Sequence, residues 1–149
     1  MRTLALTMFF FAYLSACDAN AAKWIKTSVE DWSIDVETME VIPNGLVRFW
    51  NRYKLNPEVV ADLDRDLKLN GTAKDYSDYS FSVALWEVSC SKRLHRVIVG
   101  TDYSSKGIGI NSFDTEKTMA LSRVIPSSDF AAVFDETCRL IRENGKRKK

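Results

Sequence analysis

Tyr79-Ser-Phe-Ser-Val-Ala-Leu-Trp-Glu-Val-Ser-Cys90 is the stretch on which the fold turns. Tyr79, Phe81, Val83 and Leu85 alternate with Ser80, Ser82, Ala84 and Trp86, the period of two expected of a β-strand. It is the longest strand candidate in the chain, and it ends on a cysteine. Upstream, Leu46-Val-Arg-Phe-Trp-Asn-Arg-Tyr53 alternates Leu46, Arg48, Trp50 and Arg52 against Val47, Phe49, Asn51 and Tyr53. Large apolar groups on both faces mark it as a central strand. Pro43-Asn44-Gly45 is a turn, because Asn-Gly adopts positive φ cheaply. That turn joins the strand to Thr38–Ile42. Before it, Trp24–Val29 and Asp31–Val36 read as two more strands, the second with Trp32, Ile34 and Val36 on one apolar face. Downstream, Leu94–Tyr103 carries Val97, Ile98 and Val99, Ser104–Gly107 turns, Ile108–Phe113 returns, and Leu121–Ile125 is a last short strand stopped by Pro126.

Two segments switch to helical spacing. Asn56-Pro57-Glu58 opens one: Asn caps, and Pro suits the first helical position. Val59, Leu63 and Leu67 recur along one side of it, and Asn70-Gly71 ends it. Ser127-Ser128-Asp129 starts a closing helix expected to run to about Glu143. Phe130, Val133, Phe134, Thr137, Cys138 and Ile141 form a single stripe on it. The sum is an α+β domain: one antiparallel sheet of five to six strands, a C-terminal helix packed on one face, and a short helical insertion.

The N-terminus reads as an export signal. Arg2 gives a short positive region, and Leu4–Leu14 is an uncharged apolar run, too short to span a bilayer at ~20 residues. Ala19-Asn20-Ala21 is an A-x-A cleavage site, so residues 1–21 are the expected signal peptide, 22–144 the domain and 145–149 a basic tail. Leu14-Ser-Ala-Cys17 offers the alternative of a lipobox, in which an acylated Cys17 becomes the first mature residue; the A-x-A site is preferred. On either route Cys90 and Cys138 remain as a pair in an oxidising compartment, where two such cysteines bond each other.

With 21 Lys+Arg against 20 Asp+Glu, no field points to nucleic acid. Catalytic chemistry is also missing. His95 is the one histidine, sits between cationic Arg93 and Arg96, and reads as a strand-surface residue. No serine can be set beside a second histidine, and the two mature cysteines are paired, so the chain is read as a non-enzyme. A zinc site lacks ligands, Asp62, Asp64 and Asp66 read as a solvated helix face, and no cofactor or metal is expected. If the helix covers one sheet face, the other is left open. Arg48, Trp50, Arg52, Arg93 and Arg96, with Lys92, are the candidate binding residues there.

The order of landmarks from Trp24 to Cys138 resembles the surface-adhesin protein E-like family of bacterial exported proteins. The features are Ala22-Lys23-Trp24, Trp32-Ser-Ile-Asp35, Val47-Arg-Phe-Trp50, Glu87-Val-Ser-Cys90-Ser-Lys-Arg93, and Ile125-Pro126-Ser127 leading to Cys138. The resemblance implies a small antiparallel sheet with a disulfide-tethered helix and a role contacting extracellular or envelope proteins. The Asn56–Asn70 helical insertion departs from the pattern, as does Leu121-Ser122, where relatives carry a Trp before the Pro. The expected function is therefore a non-catalytic exported binding module, adhesin-like. The alternative is a soluble periplasmic accessory or structural protein with no host partner. Membrane contact is expected only through a lipidated Cys17, and a homodimer through a bare edge strand is compatible with the sequence.

Overall fold

The computed structural model describes residues 22–71, 75–115 and 120–147. The expected signal peptide, Cys17, and the last two residues of the basic tail lie outside the described residues.

Eight strands form one antiparallel sheet: β1 (Trp24–Lys26), β2 (Ser33–Asp35), β3 (Glu40–Val41), β4 (Val47–Tyr53), β5 (Tyr79–Ser89), β6 (Leu94–Ser104), β7 (Gly109–Asp114) and β8 (Ser122–Arg123). The main order is β1-β2-β4-β5-β6-β7. β2 and β3 share one edge of β4, pairing Ile34 with Asn51 and Val41 with Val47. β7 and β8 divide the far edge of β6 in the same way, pairing Gly100 with Phe113 and His95 with Ser122. β4 and β5 are therefore interior strands, as their two-sided apolar content implies. Helix α1 (Pro57–Leu69) links β4 to β5, and α2 (Asp129–Arg147) follows β8.

Ends of elements follow local chemistry. β1 stops at Lys26 rather than Val29 because Thr27–Trp32 folds back as a turn. There the Thr27 amide donates to the Trp32 carbonyl at 3.0 Å, the Val29 amide donates to the Thr27 hydroxyl at 3.2 Å, and Asp31 takes φ 63°. Asn44 and Gly45, at φ 76° and 72°, make the turn before β4. Asn56 Oδ1 accepts from the Glu58 amide at 2.9 Å, capping α1. Ser128 caps α2 by accepting from the Ala131 amide at 3.1 Å. α2 continues past Glu143 to Arg147, so Gly145 falls inside the helix rather than ending it. Ion pairs from Arg139 to Glu136 and Glu143, one turn away on either side, support this stretch.

The core lies between α2 and one sheet face. Ile34, Phe49, Val88, Val133 and Phe134 are fully buried there, each such side chain contributing about 1.5–3 kcal/mol. Trp32 comes in from the β1–β2 turn, stacks on Tyr53 at 4.8 Å, and reaches Phe130 and Trp86. Cys90, just past β5, bonds Cys138 on the buried side of α2. The expected helix stripe, from Phe130 to Ile141, is the face that packs. By contrast, α1 buries none of its residues, and Leu69 is 78% exposed.

A polar cluster pins the chain where α1 rejoins the sheet. Asp102, 4% exposed, accepts from the Tyr76 hydroxyl at 2.5 Å and the Ser82 hydroxyl at 2.6 Å. The Tyr79 and Ser82 hydroxyls share a 3.0 Å bond, and the Leu55 amide donates to Tyr79 at 2.9 Å. Burial and the neighbouring Asp102 carboxylate both push the Tyr53 and Tyr76 hydroxyls above their ordinary ionisation range.

Gly100 leaves less room for a side chain than the other described strand glycine, Gly109. A Cβ at Gly100 would lie 2.4 Å from Phe113 Cζ and 3.0 Å from Ala84 Cβ. Phe113 thus lies over the glycine of its cross-strand partner. Gly100→Ala is expected to destabilise the domain by about 2 kcal/mol through overpacking, read as a lowered urea midpoint with an unchanged slope.

Candidate functional site

The sheet face away from α2 carries its side chains in cross-strand rows. Strand register sets the first row as Arg48, Glu87 and Arg96 on β4, β5 and β6. The Glu87 side chain is only 1% exposed because both guanidinium groups close over it. Arg48 Nη2 stands 2.5 Å from one carboxylate oxygen, and Arg96 Nη2 and Nε stand 2.6 and 2.8 Å from the other. Arg48 also lies 3.9 Å from Glu40 of β3. Burial alone would push the Glu87 carboxyl up; the bonds from Arg48 and Arg96 outweigh it and hold the group below the usual carboxylate range.

The next row is apolar: Trp50, Leu85 and Val99, all partly exposed. Beyond it come Arg52, Val83 and Thr101, then Phe81 stacked on Tyr103 at 5.1 Å. The Arg52 guanidinium sits 4.0 Å over the Phe81 ring, which orients it while leaving its outer edge in water. The face therefore pairs an apolar stripe with fixed cationic groups, an arrangement suited to non-covalent recognition of another surface.

Of the six candidate binding residues, Arg48, Trp50, Arg52 and Arg96 share this outer face, and Lys92 stands exposed in the β5–β6 turn. Arg93 does not join them. It stands in the β5–β6 turn at φ 53°, pairs with Asp135 of α2 at 2.7 Å, and lies 5.0 Å over the Phe134 ring. It therefore braces the helix rather than the open face. The expected basic patch is also modified by Glu87, whose carboxylate is shared by Arg48 and Arg96. A lone strand glutamate gave no sign of this, because the contact depends on register across three strands.

His95 also differs from its sequence reading as a strand-surface residue. It pairs with Val88, on the helix side, and its ring packs against Trp86 at 5.8 Å and Phe130 at 4.5 Å. Burial pulls its pKa below 6.5, against a smaller opposing contribution from the Ser122 backbone. It is a partly buried aromatic packed beside Phe130 of the first turn of α2. Among the described residues no group of three or more His, Cys, Asp or Glu side chains is placed to hold a metal ion.

The Arg–Glu–Arg row makes a quantitative prediction. A carboxylate whose folded pKa is lowered contributes stability that is present above pH 4.5 and lost as pH falls through the folded value. Glu87→Gln leaves two guanidinium groups without their counter-charge. It is expected to cost about 2 kcal/mol at neutral pH, with the gap to wild type narrowing below pH 4.5. Urea unfolding of both proteins across that range checks it; a constant gap would remove the carboxylate from the explanation.

No protein-family model matches the chain, and no curated protein matches it in sequence. Among solved structures, the chain is similar to Haemophilus influenzae protein E in its crystal form II. The TM-score is 0.51 at 12% identity, covering 78% of this chain and 87% of that one. A further structure of Haemophilus influenzae protein E aligns over 78% of this chain and 83% of that one, at 13% identity and a TM-score of 0.48. The likeness to crystal form II is one of fold: an antiparallel sheet with a helix across one face.

Proposed function

We propose that this chain is a non-catalytic exported binding module of the surface-adhesin protein E-like family, which contacts another protein at the bacterial envelope through its outer sheet face. The observation that carries the reading is the Trp50–Leu85–Val99 row, which stays partly exposed on the face opposite α2 among the described residues. A sheet presents two faces, and α2 uses only one.

Three further features support it. The Cys90–Cys138 disulfide suits an oxidising compartment outside the cytoplasm. No helix among the described residues is long and apolar enough to cross a membrane. The fold-level likeness to protein E fits the order of motifs from Trp24 to Cys138. The groups with reactive potential are engaged structurally: Glu87 between two arginines, Asp102 between two hydroxyls, and His95 among aromatic rings.

Site-specific photo-cross-linking in the native cells tests the face. A benzophenone amino acid placed at position 50 is expected to yield discrete light-dependent adducts with a second protein. The same group at Leu69, exposed on α1, is expected to yield none. Absence of adducts from position 50, or the same adducts from both positions, would sink the assignment. Recovery of the adduct from the outer surface, rather than the periplasm, separates an adhesin-like role from an accessory one.

A further inference from the structure

At one end of the outer face the sheet and the β1–β2 turn enclose a cleft of about 590 Å³. That volume lies within the range of small-ligand and short-peptide sites. Trp24 and Phe81 contribute aromatic surface to it, and Lys26, Arg52 and Lys54 contribute charge. Lys26 and Arg52 fall in one cross-strand row because Ser33 pairs with both. Lys54, just past the end of β4, lines the same cleft.

These cations differ from those of the Arg48–Glu87–Arg96 row. Among the described residues none of the three is in an ion pair, and Arg52 is held instead by the Phe81 ring at 4.0 Å. A guanidinium fixed through its flat face keeps its in-plane N–H donors for a carboxylate, which it can take through two parallel bonds. Two carboxylates also line the cleft, Glu30 and Asp31, both on the β1–β2 turn. Lys26 and Arg52 on the strands and Lys54 just past β4 therefore supply three positive charges and the turn two negative ones, a surplus of one positive charge in the cleft.

We propose that this cleft takes an acidic segment of a protein partner, with a carboxylate on Arg52 and an apolar side chain against Trp24 and Phe81. The inference rests on the reading of the outer face as a protein-binding surface and names the chemistry of what binds there. Arg52 is the anchoring residue, Lys26 and Lys54 widen the attraction, and Glu30 and Asp31 oppose it.

The probe is a synthetic acetylated hexapeptide alternating glutamate with phenylalanine, titrated against the purified domain by NMR at low salt. Controls are the same peptide with lysine replacing glutamate, and a heparin hexasaccharide. The glutamate peptide is expected to shift the Trp24 indole resonance and to weaken as salt is raised. Arg52→Gln should weaken binding about fivefold, and Glu30→Gln with Asp31→Asn should tighten it by about twofold. Asparagine is suited to the positive φ of position 31. Stronger binding of the lysine peptide, preference for the oligosaccharide, or an affinity indifferent to Arg52→Gln would overturn the proposal. Adducts from position 50 alongside a silent peptide titration would retain the binding face and reject the acidic partner; loss of both would reject the face itself.

Discussion

The seating of α2 on the sheet is the contact on which the rest of the structure depends. Its stripe of Val133, Phe134, Thr137 and Cys138 is almost wholly buried against β4 and β5. The Cys90–Cys138 bond then ties the helix to the end of β5 across a separation of 48 residues. Closing a loop of that length removes chain entropy from the unfolded ensemble worth about 4 kcal/mol in the simplest treatment. For one small sheet with a single covering helix, that is a substantial share of a typical net stability of about 5–15 kcal/mol. Arg93 adds to the same seating from the β5–β6 turn, through Asp135 and the Phe134 ring.

Covering one face decides the character of the other. Helix-side positions of β4 and β5 hold Phe49, Trp86 and Val88, whereas the outer positions hold Arg48, Trp50, Glu87 and Leu85. The outer row of Arg48, Glu87 and Arg96 closes on itself and cross-braces three strands. At the Arg52 end of the same face, Lys26, Arg52 and Lys54 are outside ion pairs among the described residues. One surface thus contains a brace in which two arginines share one carboxylate and a cleft whose cations are outside such pairs among the described residues, with the Trp50 row between them.

Much of this was legible in the sequence, for definable reasons. Period-two alternation in Tyr79–Ser89 and Val47–Tyr53 reports strands with one buried face directly, and the Asn-Pro and Ser-Ser-Asp steps carry the capping chemistry of both helices. The Cys90–Cys138 pairing followed from compartment and count. What the sequence hid depends on register and on which side of the sheet a position falls. The bulge at Ile98 lets Trp86 face Val97 while Leu85 faces Val99, and it helps decide that His95 points beneath α2. Without that offset, His95 between two arginines reads as a surface residue. The Glu87 contact is hidden for the same reason, and Arg93 reads with the outer arginines because nothing local reveals its pairing with Asp135.

The most direct measurement is the intact mass of the protein purified from its native envelope, with and without reduction. The expected species begins near Ala22, or at an acylated Cys17, and gains the mass of two hydrogen atoms on reduction as Cys90–Cys138 opens. A chain that retains Met1 and carries free thiols at Cys90 and Cys138 would contradict both the expected export and the covalent seating of α2 on one sheet face.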